Sequence, residues 1–221
     1  MNVRSGIGMT SARTRDRLIG LLAEAGIADE AVLETIRTVP RHLFVDEALA
    51  SRAYENTVLP IGHGQTISQP YIVALMTQTL VADKSLPLER VLEIGSGCGY
   101  QTAVLAPFVR HVFSIERIGP LVVRAREQLK ALGIQNVSMR HSDGATGWVS
   151  QAPFQGILLA AAPEEVPARL LSQLADGARL VMPAGKMGQQ ELICITRRGE
   201  DYVRETLAPV SFVPMLQGME R

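Results

Sequence analysis

The chain has 221 residues, enough for one substantial hydrophobic core, and its 22 lysines and arginines balance its 22 aspartates and glutamates. A formal net charge of zero, with no run of like charges, disfavours a nucleic-acid partner held through its phosphates. The two cysteines have neither disulfide nor zinc-ligand spacing, and no apolar run reaches membrane-spanning length. We therefore expect a cytoplasmic protein without metal, nucleic-acid or membrane partners, and we expect it to be a monomer.

The N-terminal part of the sequence predicts helices. Residues 1–10 precede any periodic pattern and are expected to be a disordered leader. Apolar residues within 18–22 mark a first amphipathic helix, and Asp29 is placed to cap a second one that ends before Pro40. Residues 41–67 have a mixed, loop-like pattern.

Strands and helices alternate after residue 90. A helix is predicted over 70–81; strands are then predicted at 91–94, 111–115, 137–140, 156–160 and 178–182, with helices near 100–108, 119–132 and 165–175. This order predicts an α/β fold with a mostly parallel, doubly wound sheet covered on both faces. The runs 191–196 and 210–213 are expected to add antiparallel strands.

We expect one domain over residues 11–221. Residues 11–90 would form a helical cap and substrate loop, and residues 91–221 would form the cofactor-binding sheet.

A strand that runs directly into alternating glycines is the most informative local pattern. Gly95, Gly97 and Gly99 follow the strand at 91–94 and allow the backbone to turn tightly against a ligand. Such a turn also occurs in other α/β folds, so the pattern alone leaves the ligand open.

An acidic residue narrows the choice of ligand. Glu116 ends the next predicted strand 21 residues after Gly95, a spacing that suits a carboxylate bound to a ribose hydroxyl. Tyr100 stands where the dinucleotide fingerprint has its third glycine, so the ligand need not carry a pyrophosphate. These features resemble the Rossmann-like methyltransferases that use S-adenosylmethionine.

A second polar segment precedes the helix at 70–81. Ser68 or Gln69 would lie near its N-cap, with Pro70 in the first turn. Ser68 could simply cap the helix. Alternatively, a hydroxyl beside free backbone N–H groups and the positive end of the helix dipole could form a carboxylate site.

Several segments together resemble the protein-L-isoaspartate O-methyltransferase family. They are 39–45, 52–55, the run Gly62-His-Gly-Gln-Thr-Ile-Ser-Gln-Pro-Tyr71, 91–106, 116–118, 142–144, 152–154 and 180–185. The Gln-Thr-Ile-Ser-Gln-Pro element is specific to that family. The resemblance implies methyl transfer from S-adenosylmethionine to the free α-carboxylate of L-isoaspartyl residues in damaged proteins and peptides, followed by collapse of the ester to a succinimide.

The same resemblance implies the roles of individual residues. Ser68 would be the catalytic residue and would orient the carboxylate through a hydrogen bond, without acting as a nucleophile. The substrate-binding residues would be Thr66, Ser68, Val213 and Pro214, and the cofactor-binding residues would be Gln69, Gly95, Ser96, Gly97, Gly99, Glu116, Asp143 and Gly144.

Simpler interpretations remain for parts of this set. Asp143 could be a turn acid, and the segment 212–215 could be an edge strand that Pro214 ends. Gln155 and Leu159 depart from the family pattern: Gln155 stands where the family commonly has an acid, and Leu159 where it commonly has a threonine. We expect both to lie near the carboxyl ends of the strands, where substrate would bind, so these departures leave the substrate range open.

The sequence leaves two other functions open. One is a methyltransferase acting on ordinary aspartyl residues or small carboxylic acids, and the other is a regulator that binds the cofactor without turnover. An NAD-linked oxidoreductase is disfavoured by Tyr100 and by the lack of hydride-handling residues.

Overall fold

The computed structural model describes residues 8–220. Most of the expected disordered leader, residues 1–7, lies outside this range. Gly8–Thr10, expected to be disordered with it, instead form a 3-10 turn. Within 8–220, no helix has the length and apolar character needed to cross a membrane.

Three helices form the N-terminal part: α1 (Ala12–Glu24), α2 (Glu30–Thr38) and α3 (Pro70–Val81). The predicted cap of α2 is confirmed, because Asp29 Oδ1 accepts hydrogen bonds from the N–H groups of Ala31 and Val32 at 2.9 and 3.0 Å. The side chain of Gln78, on α3, accepts hydrogen bonds from Ala28 and Asp29. The start of α2 is therefore fixed against α3.

The segment expected to be loop-like is more ordered than predicted. It contains two 3-10 helices, Arg41–Phe44 and Glu47–Arg52, and an antiparallel hairpin of β1 (Leu59–Gly62) and β2 (Gln65–Ile67). His63 and Gly64 form its two-residue turn with φ of +54° and +65°. Two positive φ values are the mark of a type I′ turn, which suits the twist of a hairpin.

The remaining elements form the predicted mostly parallel sheet and its helices. The strands are β3 (Leu88–Ile94), β4 (Val109–Glu116), β5 (Val137–His141), β6 (Phe154–Leu159), β7 (Leu174–Ala184), β8 (Gln190–Arg198) and β9 (Asp201–Val210). The helices are α4 (Tyr100–Leu105), α5 (Gly119–Ala131) and α6 (Ala168–Leu171). The sheet order is β5-β4-β3-β6-β7-β8-β9. The strands from β5 to β7 pair in parallel, and β8 pairs antiparallel with both of its neighbours, β7 and β9.

Two sequence predictions are wrong in detail. The helix expected over 165–175 is only the short α6, because the chain joins the sheet at Leu174. The run 210–213 was expected to be a strand, but the last strand is 201–210 and the chain leaves the sheet after it. Exposed side chains along most of β9 hide this edge strand from a search for apolar runs.

The strand order reverses at β3. From β3 the chain proceeds through β4 to β5 on one side, and then returns to β6 and β7 on the other. In open α/β sheets, ligands bind beyond the carboxyl ends of the strands at such a switch point. The glycine-rich turn follows β3 at this place.

Gln155 does not border this opening, contrary to the sequence expectation. It lies near the amino end of β6, where its side-chain oxygen accepts a hydrogen bond from the N–H of Glu89. Leu159 is at the carboxyl end of β6 but is fully buried in the core. The difference from the family pattern at Gln155 therefore lies at the opposite end of β6 from the opening.

Replacing Asp29 with alanine is expected to lower the free energy of unfolding by about 0.5–2 kcal/mol, because the cap of α2 loses its acceptor. Chemical denaturation measures this change. The variant Glu30→Ala removes a neighbouring carboxylate and keeps the cap, so it should have a smaller effect; equal losses in the two variants would contradict a capping role for Asp29.

Candidate active site

A cleft opens at the carboxyl end of β3, between the loops that follow β4 and β6. Its walls include the glycine-rich turn and the C-terminal segment. Nine of the residues predicted to bind substrate or cofactor line it: Thr66, Ser68, Gly95, Ser96, Gly97, Glu116, Gly144, Val213 and Pro214.

The glycine-rich turn has a left-handed backbone, as its sequence predicts. At Gly97 φ is +52°, and an added Cβ would lie 3.2 Å from Ile61 Cδ1 of the hairpin. Gly99 is the N-cap residue of α4 with φ of +87°, and an added Cβ would lie 3.1 Å from the Cβ of Ala125. Gly99 therefore permits close packing of α4 on α5; it does not line the cleft.

Glu116 connects the two loops on this side of the cleft. Its Oε2 accepts a hydrogen bond from the N–H of Gly97 at 2.9 Å, and its Oε1 accepts one from the N–H of Ile118 at 3.0 Å. A carboxylate has about four acceptor positions, so ligand hydroxyls can still be bound. Glu116, which the sequence predicts to bind a ribose, thus lines the cleft, and it also holds the glycine-rich turn in place.

Ser96 offers an unused polar atom in the cleft. Its side chain is buried, and its Oγ has no hydrogen-bond partner within residues 8–220. Buried polar atoms in native proteins nearly always have partners. An adenosine-bearing ligand with a polar amino-acid portion fits this site, because it could supply the missing contact.

Ser68 does not cap α3. The N-cap residue is Gln69, and its own side chain makes no capping hydrogen bond. Pro70 lacks an N–H group, and the N–H of Tyr71 is taken by Asn56 Oδ1 at 3.0 Å. The start of α3 therefore offers fewer free backbone N–H donors than the sequence suggested. A carboxylate bound here would depend more on the Ser68 hydroxyl than on the helix end.

A second cavity adjoins the cleft on the side of α3. Apolar residues of α3 and of the segment after β9, including Ile72 and Phe212, form its walls. It shares Thr66, Ser68, Ala160 and Val213 with the cleft. Gln69, predicted to bind cofactor, lines this second cavity instead.

The chain after β9 crosses the opening as an extended strap, residues 211–220. The N–H of Ala162 donates to the carbonyl of Val213 at 2.9 Å, and the N–H of Met215 donates to the carbonyl of Ala162 at 2.8 Å. Farther along, Arg117 and Glu220 form an ion pair at 3.2 Å. The segment 212–215 is therefore a wall of the cleft rather than an edge strand.

Asp143 holds this strap. Its Oδ1 accepts from the N–H of Ala145 at 2.8 Å, and its Oδ2 accepts from the N–H of Gly218 at 2.7 Å. Its carboxylate does not line the cleft, whereas the next residue, Gly144, does. Asp143 therefore acts as a turn acid and also makes a tertiary contact that the sequence could not show; its contact with the cofactor stays a prediction.

Sequence reasoning missed other cleft residues: Ile118, Ala160, Ala161, Met215 and Leu216. Small residues directly after a strand beside β3 were a usable signal for the alanines, since they leave room for a ligand at the switch point. The strap residues gave no such signal. In residues 8–220, no three His, Cys, Asp or Glu side chains are grouped as metal ligands.

A second carboxylate lies buried beneath the glycine-rich turn. Glu93 Oε2 accepts from the hydroxyls of Thr102 at 2.5 Å and Ser114 at 2.7 Å, so it joins β3 to α4 and β4. Burial raises the pKa of Glu93 to about 7, although the two hydroxyl donors oppose this shift.

The raised pKa of Glu93 predicts a pH-dependent stability. The folded protein binds the Glu93 proton more tightly than the unfolded chain does, and this difference stabilises the fold. The stabilisation is complete below about pH 4.5 and is lost as the pH rises through about 7. In Glu93→Gln, the free energy of unfolding should fall less over this range, as measured by denaturation at both ends. The exposed variant Glu127→Gln is expected to keep the wild-type difference, and an unchanged pH dependence in Glu93→Gln would contradict the assignment.

Comparisons with known proteins agree with the geometry. Residues 13–220 match the profile of the family described as protein-L-isoaspartate(D-aspartate) O-methyltransferase. The chain is 60% identical over 214 residues to a protein-L-isoaspartate O-methyltransferase of Halorhodospira halophila, with 97% of this chain and 96% of that protein covered. It is 58% identical over 217 residues to one of Alcanivorax borkumensis, with 98% of each covered.

Two solved structures are also similar. A protein-L-isoaspartate O-methyltransferase aligns with a TM-score of 0.82 at 27% identity, covering 93% of this chain and 67% of that one. A Plasmodium falciparum protein described by the same name, in complex with S-adenosyl-L-homocysteine, aligns with a TM-score of 0.77 at 26% identity, covering 91% and 98%. With the family profile matched over nearly the whole chain, this protein belongs to the protein-L-isoaspartate(D-aspartate) O-methyltransferase family.

Proposed function

We propose that this protein transfers a methyl group from S-adenosylmethionine to the α-carboxylate of L-isoaspartyl residues in damaged proteins, the first step of their repair through a succinimide. The observation that carries the proposal is the pair of adjoining cavities that meet at Ser68 and Ala160. One cavity has the glycine-rich turn and Glu116; the other has apolar walls suited to a peptide. The reacting groups would meet at their shared boundary.

The cofactor fits the first cavity. Gly95 and Gly97 let the backbone approach it, Glu116 accepts from the ribose hydroxyls, and Ser96 Oγ supplies an unused polar contact. When bound, S-adenosylmethionine supplies an electrophilic methyl group on a positively charged sulfur. Glu116 and the glycine-rich turn fix the position of that group relative to Ser68.

The chemistry requires positioning rather than a general base. A carboxylic acid with a pKa of about 4 is already ionised at neutral pH and can attack directly. Ser68 donates a hydrogen bond that orients one carboxylate oxygen, and Thr66 lies beside it on the same boundary. Such alignment can contribute about 7–11 kcal/mol to lowering the barrier.

The strap excludes water from the reacting pair. Val213 and Pro214 line the cleft and are held there by the backbone hydrogen bonds to Ala162. The transfer neutralises a carboxylate and a positively charged sulfur, so a less polar site favours it. We further propose that residues 11–90 act as a cap over one folded domain, with Gln69 on the peptide side.

We also propose that the protein acts in the cytoplasm as a monomer, without nucleic acid or membrane. Cys98 and Cys194 are both free and buried, which suits a reducing compartment.

Gly144→Ala is expected to weaken cofactor binding. Its Cβ would lie 2.3 Å from Ile94 Cγ2, in the cleft wall, so the branched side chain must move. Such overpacking costs about 1–3 kcal/mol of stability. The affinity for S-adenosylhomocysteine, measured by calorimetry, should fall in the variant. Gly20→Ala, which meets nothing within 4 Å on α1, is the control, and unaltered binding in Gly144→Ala would contradict the placement of Gly144 in the wall.

The proposed function is tested with paired peptides that differ only in isoaspartate or aspartate. Labelled methyl should transfer from S-adenosylmethionine to the isoaspartyl peptide preferentially. Ser68→Ala should lower kcat/KM by roughly 10- to 100-fold, since it removes a hydrogen bond to a charged group. The exposed variant Ser150→Ala should retain full activity.

Equal methylation of both peptides would leave the fold and cofactor intact and overturn the substrate. Binding of S-adenosylhomocysteine without methylation of either peptide would instead favour a cofactor-binding regulator.

A further inference from the structure

A buried arginine lies directly beneath the boundary between the two cavities. Arg41 is fully enclosed; its Nε donates to the carbonyl of Ala53 at 2.9 Å, and its Nη2 donates to the carbonyl of Ser68 at 2.8 Å. Its guanidinium also lies over the ring of Tyr100, 4.8 Å from the centroid. Ser68 and Tyr100 both line the cleft, so the cation is separated from it by a single layer of residues.

The charge of Arg41 has no acidic partner. None of the ion pairs within residues 8–220 includes it. Its Nη1, which carries two N–H donors, is buried and has no acceptor in the described chain. Burial lowers the pKa of Arg41, but a guanidinium stays protonated at neutral pH. Its Nη2 also donates to the carbonyl of Thr57 at 3.4 Å. Neutral carbonyl groups and a ring stabilise an enclosed charge without cancelling it, so Arg41 keeps a net positive field that no acid of the described chain offsets.

The other cations nearby are different. Arg117 lines the cleft itself but is paired with Glu220 at 3.2 Å, and Arg124 faces Asp46 at 3.6 Å. Both arginines are partly exposed, so solvent and their partners weaken their fields. Arg15 lies over the ring of Tyr54, which is not part of the cleft wall. Glu116, the acid of the cleft, binds the N–H groups of Gly97 and Ile118 and is not paired with Arg41.

We infer that Arg41 determines specificity for a negatively charged acceptor, because its buried charge stabilises the substrate carboxylate held at Ser68. This inference rests on the proposed function. In a low-dielectric surrounding a charge acts strongly over several ångströms, so direct contact is not needed. Arg41 also fixes the carbonyl of Ser68 and is a positioning residue in that sense; it does not touch the reacting atoms.

Two consequences follow for the reaction. The carboxylate loses its charge as its oxygen bonds to the methyl carbon and the carbon–sulfur bond breaks, so Arg41 stabilises bound substrate more than the transition state. Removing Arg41 should therefore raise KM and leave kcat unchanged or higher. The neutral ester product loses the attraction, which favours its release.

The test compares two peptides that differ only in an isoaspartyl carboxylate or the corresponding neutral isoasparaginyl amide. Their binding is measured with S-adenosylhomocysteine present, so that no methyl transfer occurs. The wild-type protein should prefer the acid. Arg41→Met should reduce this preference by about tenfold or more, whereas Arg41→Lys, which keeps a charge but not the geometry, should retain most of it. Arg15→Met removes a buried arginine elsewhere and should leave the preference unchanged.

An unchanged preference in Arg41→Met that still binds S-adenosylhomocysteine would overturn the inference. So would an equal loss in Arg41→Lys, since that outcome assigns Arg41 to geometry alone. If Arg41→Met does not fold, the wild-type preference is measured from about 0.05 to about 0.5 M salt. If the enclosed charge of Arg41 sets the preference for the acid peptide, the preference should persist at high salt. A preference that disappears with salt would come from exposed cations and would contradict the inference.

Failure of the proposed function is distinguishable from failure of this inference. A wild-type protein that does not methylate the isoaspartyl peptide refutes the function. A protein that methylates it, with an acid preference independent of Arg41, refutes only the role of the arginine.

Discussion

The rest of the site depends on keeping residues 95–99 in a left-handed turn at the end of β3. Two carboxylates provide this constraint: Glu116 binds the backbone N–H of Gly97 from the next strand, and Glu93 binds Thr102 on the helix that follows the turn. Because the sheet order reverses at β3, the turn lies at the switch point where a crevice opens between the neighbouring loops. The cleft is therefore located by topology and shaped by these two acids.

The parts that could be predicted from sequence depend on residues close together in the chain. The glycine-rich turn, the position of Glu116 and the cap at Asp29 are local patterns with direct steric or hydrogen-bonding causes, and the structure contains them where they were expected. The mostly parallel sheet followed from its alternating elements. The family resemblance added Ser68, whose polar surroundings alone did not distinguish a helix cap from a substrate contact.

The parts that could not be predicted depend on residues far apart in the chain. The sequence offered a cofactor contact or a local turn for Asp143, and it could not show the contact with Gly218, which spans 75 positions. The hairpin turn was hidden because His63, at its first central position, is not one of the Asn, Asp or Gly residues that mark a type I′ turn in a sequence. Arg41 is unremarkable as a letter in the sequence; only its burial without an acid makes it informative.

The strap that crosses the cleft makes the completeness of the site separable from the integrity of the sheet. Val213 and Pro214 form part of the wall, and the contacts that hold the strap extend to Gly218 and Glu220. All seven strands of the sheet lie before the strap in the chain. A protein cleaved by a protease just after β9 would therefore keep every strand pairing and lose one wall of its site.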